Sequence, residues 1–104
     1  MKGGLNNIMR QAQRMQSKIS DIQEEIGEEA FEASTGGGVV TATVNGNQEV
    51  LSVELDPEVM DPEDVEMVEE MITGAVNQAL EKASEKMNEE IEKVTGGMNL
   101  PGLF

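Results

Sequence analysis

Apolar residues at Leu5, Ile8, Ala12, Met15, Ile19, Ile22 and Ile26 recur at intervals of three and four, the period of one helix face. The spacing predicts a helix from about residue 5 to Gly27, roughly 34 Å long, with Gly27 able to take the left-handed conformation that ends helices. Glu28–Ser34, around Phe31, reads as a short strand, with a longer first helix as the alternative; Thr35-Gly36-Gly37-Gly38 then makes a turn. Val40, Ala42 and Val44 alternate with Val39, Thr41 and Thr43, and Leu51, Val53 and Leu55 with Val50, Ser52 and Glu54. A period of two on both sides of Asn45-Gly46-Asn47 predicts a β-hairpin. After Asp56-Pro57, the run Asp61-Pro62-Glu63-Asp64 opens a second helix: Asp61 caps it, Pro62 suits its first position, and the acids suit the positive end of its dipole. Its stripe, Val65, Val68, Ile72, Ala75, Val76, Ala79, Leu80, Ala83, Met87, Ile91 and Val94, reaches Thr95, where Gly96-Gly97 stops a helix roughly 51 Å long.

The order is that of an α+β fold, an α-β-β-β-α chain with a small antiparallel sheet and two long helices, forming a single domain over residues 1–104. Two helices longer than the three-stranded sheet leave apolar surface uncovered on the helices and the sheet edge, and dimerisation is the economical way to cover it. Residues 96–104 form a tail in which Leu100-Pro101-Gly102-Leu103-Phe104 is apolar. Docking on the body, docking on a partner and a flexible tail are all open at this point.

The chain has 104 residues and no Cys, His, Trp or Tyr. A disulfide, a zinc site, a thiol nucleophile and a histidine base are therefore excluded. No cofactor, metal or small-molecule substrate is expected, and an enzyme is the least favoured class. No stretch is long and apolar enough for a membrane span, and the N-terminus lacks the order of a signal peptide, so the expectation is a cytoplasmic protein without a membrane partner. Asp56, Glu58, Asp61, Glu63 and Asp64 lack the spacing of a calcium loop, and Gly36-Gly37-Gly38 lacks the Gly-Lys-Ser/Thr that completes a phosphate loop. Eight methionines could mark an adaptable binding groove, but Met15, Met71 and Met87 sit near the apolar stripes and core packing is the favoured reading.

Charge changes the picture. The formal net charge is -14, yet Lys2, Arg10, Arg14 and Lys18 precede a stretch with no basic residue until Lys82. If each helix meets the sheet at its inner end, the basic residues lie at the far ends. Arg10, Arg14 and Lys18 span about 80° of the first helix, about 130° from the middle of its apolar seam. Lys82, Lys86 and Lys93 fall within about 40° of one another, beside a sector holding Glu81, Glu85, Glu89 and Glu92. Such stripes are most often solvated faces with ion pairs such as Glu89 to Lys93. Read as a site, they present phosphate-binding cations on arms held away from an acidic middle. With only Phe31 and Phe104 as aromatics, stacking on single strands is disfavoured and duplex backbone contact is the better nucleic-acid mode.

A wider pattern combines Gly3-Gly4-Leu5, Gln11-Ala12-Gln13-Arg14-Met15-Gln16, Gly36-Gly37-Gly38-Val39-Val40, Val44-Asn45-Gly46 and Glu49-Val50-Leu51-Ser52-Val53. It continues through Asp56-Pro57-Glu58, Asp61-Pro62-Glu63-Asp64-Val65-Glu66-Met67, Ala75-Val76-Asn77-Gln78-Ala79, Gly96-Gly97-Met98 and Leu100-Pro101-Gly102. In this order, over nearly the whole chain, it resembles the bacterial YbaB/EbfC nucleoid-associated proteins. The resemblance implies an α-β-β-β-α protomer, a homodimer with protruding helical arms, and binding to double-stranded DNA that alters its conformation, with consequences for gene expression in the nucleoid. The DNA-contact role is carried to Arg10, Arg14, Lys18, Lys82 and Lys86. The competing expectation is a small acidic dimeric interaction module or chaperone that holds an apolar segment and ignores DNA.

Overall fold

The computed structural model of the chain describes residues 2–96, with side chains from Gly4 onward. The C-terminal tail after Gly96 lies outside the described residues. Helix α1 spans Lys2–Gly27, strands β1, β2 and β3 span Ala30–Thr35, Val40–Asn45 and Val50–Leu55, and helix α2 spans Val65–Thr95. The expected order is present, and α1 begins earlier than its first apolar residue.

The strands form an antiparallel meander in the order β1-β2-β3. Val40, Ala42 and Val44 of β2 are fully buried, as their alternation requires, and meet Ala75, Ala79 and Ala83 of α2, also fully buried. These three alanines are spaced by four, so they line one side of the helix. Their small side chains let α2 lie close on the sheet. Thr35 Oγ1 donates to the Met71 carbonyl (2.7 Å), Gln48 Nε2 to Ser84 Oγ (3.2 Å), and Lys82 Nζ to the Glu32 carbonyl (2.8 Å). Together they fix the helix along the strands.

Strand β3 departs from the expectation. Its alternation predicts one buried face, but Val50, Leu51 and Val53 are 49%, 54% and 38% exposed, and only Leu55 is half-buried. One helix about 10 Å wide cannot cover three strands set about 4.8 Å apart with their side chains, and α2 packs chiefly on β1 and β2. A bulge at Thr43/Val44 adds to the effect: Thr43 pairs with Ser52 and Val44 with Val50, which leaves Leu51 as the extra residue.

The hairpin also closes differently from an Asn-Gly turn with positive φ at glycine. Here Gln48 carries the positive φ, 66°, while Asn45 Oδ1 accepts from the amides of Asn47 (2.9 Å) and Glu49 (3.0 Å). Gly46 serves close approach instead: a Cβ there would collide with the Ile26 carbonyl oxygen and lie 2.6 Å from its carbon. Gly27 is likewise outside the left-handed region, and its missing side chain admits Asn47, whose Oδ1 would sit 2.6 Å from a Cβ. The end of α1 is thus seated on the β2–β3 loop by two glycines.

Asp61 accepts from the Glu63 amide at 3.0 Å, but the element it caps is a single 3-10 turn, Pro62–Asp64, that leads into α2. At the other end Gly96, φ 65°, closes α2 through a bond from its amide to the Glu92 carbonyl.

Candidate nucleic-acid interface

The 26 residues of α1 and the 31 of α2 make rods of about 39 Å and 46 Å. The two run antiparallel. Ile22 and Ile26 lie near Lys86 and Glu90, and Met15 lies beside Val94. Ile19, Ile26 and Ile91 are buried at this contact. Because α2 closes at Gly96, the first ten or so residues of α1 pass its end, and the molecule is drawn out to 73 × 20 × 18 Å.

The projecting part is where the apolar seam loses its cover. Leu5 and Ile8 are 62% and 64% exposed, whereas Ile19, on the same seam, is 4% exposed. Arg10, Arg14 and Lys18 are exposed along the side turned away from that seam. No acidic residue precedes Asp21, so Arg10 and Arg14 have no carboxylate within a helical turn of them on α1. Arg14 and Lys18 border a shallow hollow with Gln11, Met15 and Val94.

Lys82 and Lys86 do not join this group. The expectation that every basic residue sits at a far helix end fails for Lys82, because α2 runs over the sheet as far as Ser84 and holds the Lys82 ammonium on the β1 backbone. Lys86 contacts Glu90 Oε1 at 3.2 Å and borders a hollow with Glu25 and Glu29. The structure therefore brings three of the five expected residues together and places the other two on the acidic body.

Lys93 lies closer to the arm than either, one residue from Val94. Its partner is Glu90 (2.9 Å), where Glu89 was expected from the helical spacing. Hydrogen bonds from Lys93 and Lys86 hold the Glu90 carboxyl below its ordinary value, and the bond to Glu90 raises the Lys93 ammonium above its own. The sequence signal for Lys93 was its nearness to the helix end, which decides proximity to α1 once the helices run antiparallel.

Acidic residues gather at the start of α2. Glu66, Glu69 and Glu70 line a polar concavity at the start of α2 with Thr73 and Gly74. Among the described residues no cluster of three His, Cys, Asp or Glu is arranged to hold a metal ion, and no helix is long and apolar enough to cross a membrane.

The arrangement has relatives. The chain is 49% identical to a nucleoid-associated protein of Clostridium novyi (strain NT), covering 100% of this chain and 93% of that one. It is 53% identical to a nucleoid-associated protein of Clostridium perfringens (strain SM101), covering 98% and 91%. A crystal structure of an uncharacterized protein from Helicobacter pylori shares the fold, with a TM-score of 0.63 at 22% identity over 75% of this chain and 90% of that chain. The model of the YbaB/EbfC DNA-binding family matches residues 1–98. With that match spanning both helices and the whole sheet, the chain belongs to the YbaB/EbfC DNA-binding family.

Proposed function

We propose that this protein is a homodimeric, non-enzymatic nucleoid protein that grips duplex DNA by its phosphates, with little base specificity, and alters its conformation and thereby gene expression in the bacterial cytoplasm. The observation that carries the reading is the separation of charge along the long axis. Arg10, Arg14 and Lys18 stand exposed on α1, while the stretch from Ile19 to Glu81, which includes the whole sheet, has no basic residue. Phosphates approaching the arm meet guanidinium and ammonium groups first, and the acidic body keeps DNA from collapsing onto the sheet. Long flexible cations on one helix face reach phosphate oxygens more readily than base edges, so they position the protein without reading sequence. The family and the names of the two clostridial relatives point the same way. Lys82, Lys86 and Lys93, each engaged by a carbonyl or carboxylate of the body, are secondary in this reading.

Exposed apolar surface supports the dimer reading. Val50, Leu51 and Val53 are exposed on an edge strand, a surface that water disfavours and a second copy can cover. A dimer carries two arms and six arm cations.

The test is fluorescence anisotropy of a labelled duplex across a salt series. Binding is expected to weaken linearly in log salt with a slope of roughly -4 to -5 if most of the six arm cations meet phosphates. Replacing Arg10, Arg14 and Lys18 by Ala should flatten that slope by several units on every duplex sequence alike. An unchanged slope, or loss confined to one sequence, would overturn the phosphate-arm reading. The same exposed β3 patch is what favours the interaction-module alternative. Capture of unfolded polypeptide, with no duplex binding even at low salt, would put that alternative first.

A further inference from the structure

The uncovered face of α1 has a defined place in the chain's own path. Its seam is covered by α2 at Ile19 and Ile26, but α2 stops while the seam continues through Ala12 and Ile8 to Leu5. Val94 stands beside Met15, so Gly96 ends α2 at about the level of Ala12. Because the helices are antiparallel, whatever follows Gly96 leaves α2 beside the bare stretch and on the side the seam faces. From that level to Leu5 is about 10–12 Å along α1. Residues 97–104, fully extended, reach about 27 Å.

The composition of that segment matches the face. It carries no charge and supplies Met98, Leu100, Leu103 and Phe104. Pro101 and Gly102 are poor helix formers. The opposite end of the molecule offers another apolar hollow, formed by Met60, Pro62, Val65 and Val68 at the start of α2. It lies about 45 Å of helix away from Gly96, beyond the segment's reach within one chain.

We propose that the exposed α1 face from Leu5 to Ala12 is the docking surface for the chain's own apolar segment Leu100–Phe104, which takes over where α2 ends. The segment then supplies the missing second layer of the arm. Its apolar side chains cover Leu5 and Ile8, and the stripe of Arg10, Arg14 and Lys18 stays open on the far side. Docking would therefore hold the arm straight without occupying its cationic face. The placement is independent of DNA binding; only the statement that the arm remains open to phosphate rests on the function proposed above.

The chain has no cysteine, so Asn99→Cys gives a unique attachment point for a nitroxide in the full-length protein. Paramagnetic broadening of amides 5–12, with β3 amides unaffected, is the expected result. A sample mixing nitroxide-labelled, isotopically silent chains with unlabelled 15N chains separates the sources: broadening of amides 5–12 there would assign the segment to a neighbouring copy and overturn the proposal. In the unlabelled full chain, Leu103→Asp with Phe104→Asp should speed hydrogen exchange of amides 6–12 by about tenfold while β2 amides keep their protection. Unchanged exchange there, or broadening spread evenly over the protein, would also overturn it. Duplex affinity measured on the wild-type protein is a separate readout: absence of DNA binding there refutes the functional reading and leaves the docking result standing.

Discussion

Gly46→Ala should be among the most damaging single-methyl additions to this protein, although the residue lies in a hairpin loop. Gly46 has no positive φ, so alanine meets no backbone penalty at that position, and the effect is a pure collision. The added Cβ would strike the Ile26 carbonyl oxygen and sit 2.6 Å from its carbon and 3.0 Å from the Gly27 Cα. Carbon atoms rest at about 3.5 Å or more, so the end of α1 must retreat by about 1 Å. All the obstructing atoms are backbone, and none can rotate away. Overpacking of this kind costs about 1–3 kcal/mol, and the upper half of the range is expected here. For a domain of this size the melting temperature should fall by roughly 10–20 °C, read by circular dichroism at fixed protein concentration. The retreat also acts on a lever. With Ile19 as the pivot, seven residues from Ile26 and fourteen from Leu5, the arm tip swings by about 2 Å. Gly37→Ala is the control: its φ is 76° and nothing lies within 4 Å, so only the left-handed penalty of about 1–2 kcal/mol applies. A Gly46→Ala variant that melts with the wild type would refute the claim that α1 is seated on the loop by backbone contact.

Other outcomes follow from the same geometry. Ala79→Leu, at a fully buried position on the sheet-facing side of α2, should destabilise by about 1–3 kcal/mol or more in urea unfolding, whereas Asn77→Leu on the exposed side should stay within about 0.5 kcal/mol; equal effects would contradict the close helix–sheet contact. Leu51→Asp, exposed on the bulged edge strand, should halve the mass seen by light scattering and weaken a β3-mediated dimer roughly a hundredfold or more, since two leucine burials are lost; an unchanged mass would place the interface elsewhere. The Glu90 carboxyl should titrate by NMR with a midpoint below the ordinary glutamate value, and Lys93→Ala should move it upward. Because the folded value is lowered, the ion pair's contribution is complete above the ordinary glutamate range and is lost as pH falls through the lowered value. For Lys93, raised in the fold, the contribution is complete below the ordinary lysine value and is lost as pH climbs through the raised one. A Glu90 midpoint at or above the ordinary value would rule out the pairing.

Helix α1, strands β2 and β3 and the long second helix were legible because each is written in a local period, whereas the segment of β1 carries none and had a longer first helix as its alternative. Seven apolar residues at three–four spacing, or three at alternate positions in β2, specify a face without reference to the rest of the chain. The cationic stripe was legible for the same reason, since Arg10, Arg14 and Lys18 are set four apart on one helix. Local signals misled where burial or partner choice depends on another element. Leu51, Val53 and Leu55 alternate as well as Val40, Ala42 and Val44, yet of the first set only Leu55 packs against the core, because a single helix is narrower than the sheet. Gly46 and Gly27 looked like residues chosen for backbone freedom. The fold uses their missing side chains instead, where a helix end presses on a loop.

What the sequence determined by itself was therefore the kind and order of the elements and the separation of basic from acidic residues along the chain, all consequences of neighbours within one turn or one strand. Tertiary structure decided how far α2 runs over the sheet before meeting α1, and with it the roles of the lysines. It holds Lys82 on a strand carbonyl and Lys86 among glutamates, brings Lys93 beside the arm, and leaves Arg10, Arg14 and Lys18 facing solvent. The reason is geometric. Where an antiparallel partner ends is set by packing between residues seventy or more positions apart, such as Ile19 and Ile91, and no short window of sequence contains both.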